Sequence, residues 1–331
     1  MSELRWNPVL SQWVIIATHR QDRTFLPPKD HCPLCPTTPG SFPTEVPADD
    51  YEIVCFENRF PSLKRNPPEP AVKSDELFKV KPSKGICEVI LYTPVHEGTL
   101  TDRSVDEIYR LILVWTDRFK ELGDRKEIKY VFIFENKGEV IGVTLPHPHG
   151  QIYGFPYIPP VPKKELESAR KYYKKNNTCL FCKILEKERY DGRRKIWENN
   201  SFYAGIPFYA RYPYEAHITS LRHLTALTEM TDDEHQDLAC ILKALIVKYD
   251  RLWNFSFPYM MVMHQRPTDR KNYPYYHFHI EFYPTYRAPE KLKYLAGCES
   301  GAGTFINDTL PEEKARELRN VDISDIERDL K

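Results

Sequence analysis

Two runs of ligand-type residues occur in the same order in this 331-residue chain, and that repeat limits the folds open to it more than any other feature. The first run is Cys32–Pro33–Leu34–Cys35, then His96, then His147–Pro148–His149–Gly150–Gln151. The second is Cys179–Leu180–Phe181–Cys182, then His223, then His277–Phe278–His279–Ile280–Glu281. Asn200–Ser201–Phe202 echoes Asn58–Arg59–Phe60, and a strand-like run from Glu88 to His96 is matched by one from Glu215 to His223. Internal duplication is the economical explanation. It divides the chain into residues 1–160, expected to carry chemistry, and 161–331, expected to be structural. The expected fold class is α+β, two tandem units with antiparallel sheets and packed helices.

Local patterns agree with that division. Trp13–Ala17, Ile53–Phe56, Glu88–Thr93, Tyr130–Phe134 and Tyr259–Met263 read as strands. Ser104–Val105–Asp106–Glu107 and Thr231–Asp232–Asp233–Glu234 are capping signals. Each precedes apolar residues at helical spacing, Ile108, Leu111, Val114 and Trp115 in one case and Leu238, Ile241, Leu242 and Leu245 in the other. The proline- and lysine-rich stretch 64–84 reads as an exposed excursion.

Lys plus Arg and Asp plus Glu both number 47, which argues against bulk binding to nucleic acid or a membrane surface. No apolar run reaches the roughly 18 residues of a membrane span, and no charged-then-apolar leader opens the chain. A cytoplasmic protein is expected. In such a chain Cys-x-x-Cys pairs read as metal ligands or redox centres before disulfides. Pro36–Thr37–Thr38–Pro39 bars the helix that a redox pair would want after Cys35. Cys55, Cys87 and Cys240 read as small core residues.

Two thiolates and two neutral imidazoles suit tetrahedral zinc, and four ligands make a closed, structural site. Cys32, Cys35, His96 and His147 form the first such set, and Cys179, Cys182, His223 and His277 the second by duplication. A competing second set is Glu165, His264, His279 and Glu281, which suits iron or zinc. One or two zinc ions per chain are therefore expected. If His147 holds metal, His149 is left free. Its ring lies on the same side of an extended segment as His147, and Pro148 stiffens the link. A neutral imidazole is a competent nucleophile toward phosphorus, and a covalent phosphoramidate would divide one hard transfer into two easier ones. The carbonyl of His147 could hold one ring nitrogen of His149 and leave the other to attack. Gly150 would allow close backbone approach to a ligand, and Gln151 would donate to a phosphoryl oxygen. Arg20 and Arg23 are candidate diphosphate ligands.

With Asn136–Lys137–Gly138 ahead of Pro146–His147–Pro148–His149–Gly150–Gln151, the chain resembles the galactose-1-phosphate uridylyltransferases, the nucleotidyltransferase branch of the histidine triad superfamily. The resemblance runs from Asn7–Pro8 and Gln12–Trp13–Val14 to Phe282–Tyr283–Pro284 and Gly297–Cys298–Glu299. It implies two histidine-triad-like units and a double displacement in which UDP-glucose uridylylates His149 and galactose-1-phosphate then takes the group. By motif position it implies that Asn58 and Phe60 hold uridine, and that Arg20, Arg23, Asn136, Thr144 and Gln151 hold phosphates. It also implies a homodimer with shared sites, in which Lys293, Gly297, Cys298, Glu299 and Phe305 reach the partner's hexose phosphate.

Some positions depart from the family pattern. Arg59 stands where an acidic residue often contacts ribose, and Thr144–Leu145 replaces Ser-Asn. Cys298 and Phe305 replace polar residues, and Glu281 replaces a histidine. The Cys179/Cys182 pair resembles a related branch with two cysteine-containing zinc sites, whose members are ADP-sugar phosphorylases or adenylyltransferases. That activity is the alternative.

Overall fold

The computed structural model describes residues 2–28, 31–40 and 42–330. Strands β1 (Ser2–Asn7) and β2 (Gln12–Ala17) form a hairpin, and β4 (Val80–Pro82) adds to it as a third strand. The excursion over 64–84 is thus not wholly free, because β4 pairs with β1 through Glu3 to Pro82 and Arg5 to Val80. All other main strands join one antiparallel sheet. Its order is β3 (Val54–Glu57), β5 (Ile86–Leu91), β7 (His149–Phe155), β6 (Tyr130–Lys137), β11 (Tyr259–His264), β12 (His279–Pro284), β10 (Ala216–Ser220), β9 (Phe202–Gly205) and β8 (Lys195–Glu198).

The two expected sheets are therefore one. Strand β6 pairs with β11 from Phe134–Val262 to Lys137–Tyr259, and outward from that seam β7 and β12, then β5 and β10, occupy matching places. The Asn-x-Phe echo is shifted by one residue. Asn58 Oδ1 accepts from the Phe60 N–H (2.8 Å), and its counterpart is Asn199, whose Oδ1 accepts from Ser201 (3.2 Å) and Phe202 (2.9 Å).

Helices α1 (Val105–Gly123) and α4 (Asp232–Leu252) cover one face of the sheet. Both begin as their sequences require. Ser104 and Thr231 cap them, and Glu107 and Glu234 return the hydrogen bond to the capping backbone. Their buried stripes, Ile108, Leu111, Ile112, Trp115 and Phe119 on α1 and Leu238, Ile241, Leu242 and Leu245 on α4, join Ile90, Val131, Ile133, Ile152, Ile218 and Ile280 in one core. Strand alternation then sends His149, Gln151 and Tyr153 to the opposite face. There the β1–β2–β4 sheet packs through Leu4, Trp13 and Ile15, and the cysteine loop through Cys32, Leu34 and Val46.

Helices α2 (Pro160–Asn176) and α3 (Leu180–Asp191) follow β7. Cys179 is the residue before α3 and Cys182 lies in its first turn. The second Cys-x-x-Cys pair thus opens a helix, where prolines keep the first in a loop. Cys87 and Cys240 are buried as expected, and Cys55 is half-buried. A fifth helix, α5 (Pro311–Arg319), packs on α4 and β8.

Trp115 is fully buried and meets Tyr92 edge-on at 6.4 Å. Truncation to Ala should cost about 3–5 kcal/mol of stability, whereas Thr231→Ala should cost about 1 kcal/mol. Urea denaturation of both variants measures the contrast.

Candidate active site and metal centres

The first Cys2His2 set is assembled by three distant segments. Cys35 Sγ lies 3.3 Å from His96 Nδ1 and 3.6 Å from His147 Nδ1. All four donor atoms of Cys32, Cys35, His96 and His147 lie within 4.8 Å of one another. Ligands at 2.3 Å (sulfur) and 2.0–2.1 Å (nitrogen) around a tetrahedral ion would be roughly 3.5 Å apart, so the set fits zinc. Second contacts fix the ring. The Nε2–H of His147 donates to the Thr93 carbonyl at 2.8 Å, which leaves Nδ1 bare toward the cysteines. Burial pushes the His147 pKa down to about 4, against the pull of that carbonyl. The Tyr51 hydroxyl donates to the same carbonyl (2.7 Å) and lies 3.1 Å from His147 Nε2.

The second set repeats this geometry. Cys182 Sγ lies 3.2 Å from His223 Nδ1 and 3.3 Å from His277 Nδ1, and His277 Nε2–H donates to the Ser220 carbonyl at 2.9 Å. The sequence treated Glu165, His264, His279 and Glu281 as a competitor to this set. In space the two are separate: no residue is shared, and the donors of the carboxylate–histidine group also lie within 4.8 Å of one another. The pairing of His264 with His279 across β11 and β12 brings that group together.

His149 opens β7. Its Nδ1–H donates to the His147 carbonyl at 2.8 Å, which fixes the tautomer and leaves Nε2 with its lone pair. Burial holds its pKa below the ordinary imidazole value, opposed by that carbonyl. The ring borders two cavities. One, of about 100 Å3, is lined by Arg20, Arg23, Asn58, Phe60, Thr144 and Gln151, together with Phe56, Val89 and Leu34. The other, of about 260 Å3, is lined by Asn136, Lys137, Gly138 and Glu135. Seven of the sequence candidates thus share the first cavity, counting His149, and Asn136 lies on the second. Arg20 is braced by the Phe60 carbonyl (2.8 Å), and Arg23 Nε–H donates to the Arg20 carbonyl (3.2 Å). The Gln151 carbonyl oxygen accepts from Tyr153 (3.3 Å) and Asn58 (3.5 Å), so those contacts spend its acceptor and spare its two N–H donors. Arg59 and Glu45 line the same cavity and pair with each other at 2.9 Å.

The C-terminal candidates lie elsewhere. Lys293 and Glu299 form a buried ion pair at 2.8 Å, Phe305 packs at a tilt against Tyr212 and lies under Arg211, Cys298 is exposed, and Gly297 precedes a short helical turn. None of the five lines either cavity at His149.

Gly150 meets a packing constraint that the sequence did not show. A Cβ there would lie 2.2 Å from the Tyr92 hydroxyl oxygen. The glycine makes room for a buried tyrosine. That hydroxyl donates to Glu135 at 3.1 Å, and Tyr259 donates to the same carboxyl at 3.3 Å. Sequence reasoning missed this group. The signal was an acid directly after the apolar run Tyr130–Phe134. Burial raises the Glu135 pKa to about 7, against the opposing pull of Lys137 and the two hydroxyls.

A histidine of fixed tautomer two residues past a candidate metal ligand, on one sheet built from two matching halves, defines a tandem two-unit α+β protein with a nucleophile-type histidine. Family models described as the N-terminal and C-terminal domains of galactose-1-phosphate uridyl transferase match residues 1–159 and 165–330, and the chain belongs to that family. It is 41% identical over 324 residues to a galactose-1-phosphate uridylyltransferase from Thermotoga maritima, covering 98% of this chain and 99% of that one. A solved uridylyltransferase structure is 35% identical and superposes with a TM-score of 0.85 over 96% of this chain and 98% of the other. An ADP-glucose phosphorylase from Arabidopsis thaliana shares the fold at 24% identity, with a TM-score of 0.74 over 98% of this chain and all of that one.

Two outcomes follow from Tyr92 and Glu135. Gly150→Ala should lower kcat at least about tenfold, because the new methyl displaces the strand that carries His149. Adding Tyr92→Phe, which leaves a 3.2 Å approach to the ring carbon, should recover most of that loss; a double-mutant cycle on kcat reads the coupling. The folded Glu135 carboxyl keeps its proton up to about 7, the unfolded one only to 4.5. Its contribution to stability is therefore complete below 4.5 and lost as pH rises through 7. Glu135→Gln, compared with the parent by urea denaturation, should gain roughly 2–3 kcal/mol between pH 4 and pH 8.

Proposed function

We propose that the chain transfers a uridylyl group from UDP-glucose to a hexose-1-phosphate, with galactose-1-phosphate as acceptor, by double displacement through His149. The observation that carries this reading is the fixed tautomer of His149 beside a cavity lined by Arg20, Arg23, Asn58 and Gln151. The Nε2 lone pair attacks the α-phosphorus of UDP-glucose. The P–N bond forms as the bond to the departing glucose-1-phosphate oxygen breaks, and that phosphate leaves with the electron pair. Galactose-1-phosphate then attacks the same phosphorus, and Nε2 takes its electron pair back. Arg20 and Arg23 offset the diphosphate charge, and the Gln151 amide and the Asn136 and Thr144 side chains orient phosphoryl oxygens. Asn58 and Phe60 hold the uridine.

Residues 1–160 act as the catalytic unit and 161–331 as the structural one. Zinc in Cys32, Cys35, His96 and His147 would act as a clip, tying the cysteine loop to the strand of His149. Cys179, Cys182, His223 and His277 would do the same for β12. The carboxylate–histidine group Glu165, His264, His279 and Glu281 suits iron as well as zinc. The reading includes a cytoplasmic homodimer in which Lys293, Gly297, Cys298, Glu299 and Phe305 complete the partner's hexose-phosphate subsite.

A second reading, an ADP-sugar phosphorylase or adenylyltransferase acting through the same histidine, draws on the second Cys2His2 set. One experiment separates them. Incubation with α-phosphate-labelled UDP-glucose should label the parent in an acid-labile, base-stable form and leave His149→Gly unlabelled, with transfer to galactose-1-phosphate down at least about a thousandfold. Labelling by ADP-glucose alone would replace the first reading with the second.

A further inference from the structure

The first cavity at His149 has two ends. His149, Gln151, Arg20 and Arg23 mark a phosphoryl end, and Leu34, Phe56 and Val89 an apolar one. Strand register puts three of these residues in one row, since Phe56 lies across from Val89 and Val89 across from Gln151. At about 4.8 Å between neighbouring strands, the row runs roughly 10 Å from amide to ring. A nucleotide laid along it, with phosphorus at His149 and its base on the apolar end, has its sugar in between.

Among the described residues one acid lines this cavity, Glu45. The cysteine loop holds it from both sides. Its N–H donates to the Pro33 carbonyl (2.9 Å), Thr44 Oγ1 donates to the Cys35 carbonyl (2.6 Å), and Val46 pairs with Pro36. The Glu45 side chain is 27% exposed, and its Oε1 accepts from Arg59 at 2.9 Å. Arg59 in turn lies over the Phe60 ring, 5.7 Å from its centre.

A carboxylate in a cavity that takes a diphosphate needs a physical reason, because like charges repel. Arg59 offsets that charge and leaves Arg20 and Arg23 to the phosphates. What remains is an acceptor with no proton to give. The donors on a nucleotide between phosphate and base are the ribose hydroxyls. Oε2 of Glu45 can accept from them while Oε1 serves Arg59, and such charge-assisted bonds are the strong ones. A carboxylate reads ribose in the same way in dinucleotide-binding folds. Asn58 is less suited, since its Oδ1 already accepts from the Phe60 N–H.

We infer that Glu45 reads the ribose hydroxyls of the donor nucleotide, and that Arg59 offsets its charge against the diphosphate. The inference rests on the reading that a nucleoside diphosphate sugar occupies this cavity. It is indifferent to the base, because UDP-glucose and ADP-glucose carry the same ribose.

The test follows labelling of His149 by α-phosphate-labelled UDP-glucose or ADP-glucose, and by the 2′-deoxyribosyl and 3′-deoxyribosyl forms of whichever donor labels it. In the parent, the half-saturating concentration should rise about 10- to 100-fold for at least one deoxy form, with the maximal rate little changed. Glu45→Ala should bring ribose and deoxyribose donors within about threefold of each other, the loss falling on the ribose donor. Glu45→Gln, which keeps the shape and an acceptor but not the charge, should lie between. Arg59→Ala should weaken all donors alike, about tenfold, and keep the preference for ribose. No labelling by either ribose donor would overturn the nucleotide-sugar reading and this inference together. Labelling with equal use of the deoxy forms would overturn this inference alone. Glu45→Ala and Glu45→Gln that weaken ribose and deoxyribose donors by one common factor would reduce Glu45 to loop packing and also overturn it. Unchanged affinity in Arg59→Ala would overturn the role of Arg59.

Discussion

The hydrogen bond from His149 Nδ1–H to the His147 carbonyl is short in sequence and wide in consequence. Its net worth in stability is only about 1 kcal/mol, but it decides which nitrogen of His149 carries a lone pair. That carbonyl is itself placed by a ring that Thr93, Tyr51 and the cysteine loop hold in position. In the proposed mechanism the first Cys2His2 set would therefore act on the chemistry without touching phosphorus: it would fix the residue whose carbonyl orients His149. Pro148 between them removes the remaining backbone freedom.

The same bond recurs between His279 and His277, so a histidine in the right tautomer is not enough. What differs lies around it. Gly150, Glu135 and Gln151 of the first half correspond by strand register to Ile280, Met263 and Glu281 of the second. The first half keeps a buried carboxyl and a tyrosine hydroxyl under its strand, and an amide beside its histidine. The second packs apolar side chains under its strand and sets carboxylates beside its histidine. An amide with spare N–H donors suits an anionic phosphoryl group, and a buried carboxylate suits a cation. One scaffold thus presents opposite electrostatic environments on its two halves.

Much of this was legible in the chain. Ser104 and Thr231 announced α1 and α4 because a capping box is a local contract between residues three apart. The two cysteine sets were legible because a duplication prints the same order twice. What stayed hidden depended on register and on space. Nothing local says that His264 pairs with His279, so two coexisting groups looked like rivals. The packing demand on Gly150 stayed hidden because its neighbour Tyr92 is 58 positions away in the chain and meets it only through the β5–β7 pairing. Helix α3 was missed because its first turn is also a metal loop, and Cys179–Leu180–Phe181–Cys182 carries no capping residue. The places of Asn58 and Phe60 could be anticipated only from the family resemblance, since Asn-x-Phe is too short to carry meaning alone.

The seam between β6 and β11 joins corresponding strands antiparallel, which is how two identical chains meet across a two-fold axis. In a pair of identical chains every substitution appears twice, so a change that harmed the histidine of one copy would harm both. Covalent tandem fusion removes that coupling: Glu281 can stand where Gln151 stands without erasing Gln151. The fusion also has a cost in independence. Cut apart, each half would bare a long, largely apolar central strand as a raw edge. The halves are free to differ in chemistry because they are no longer free to separate.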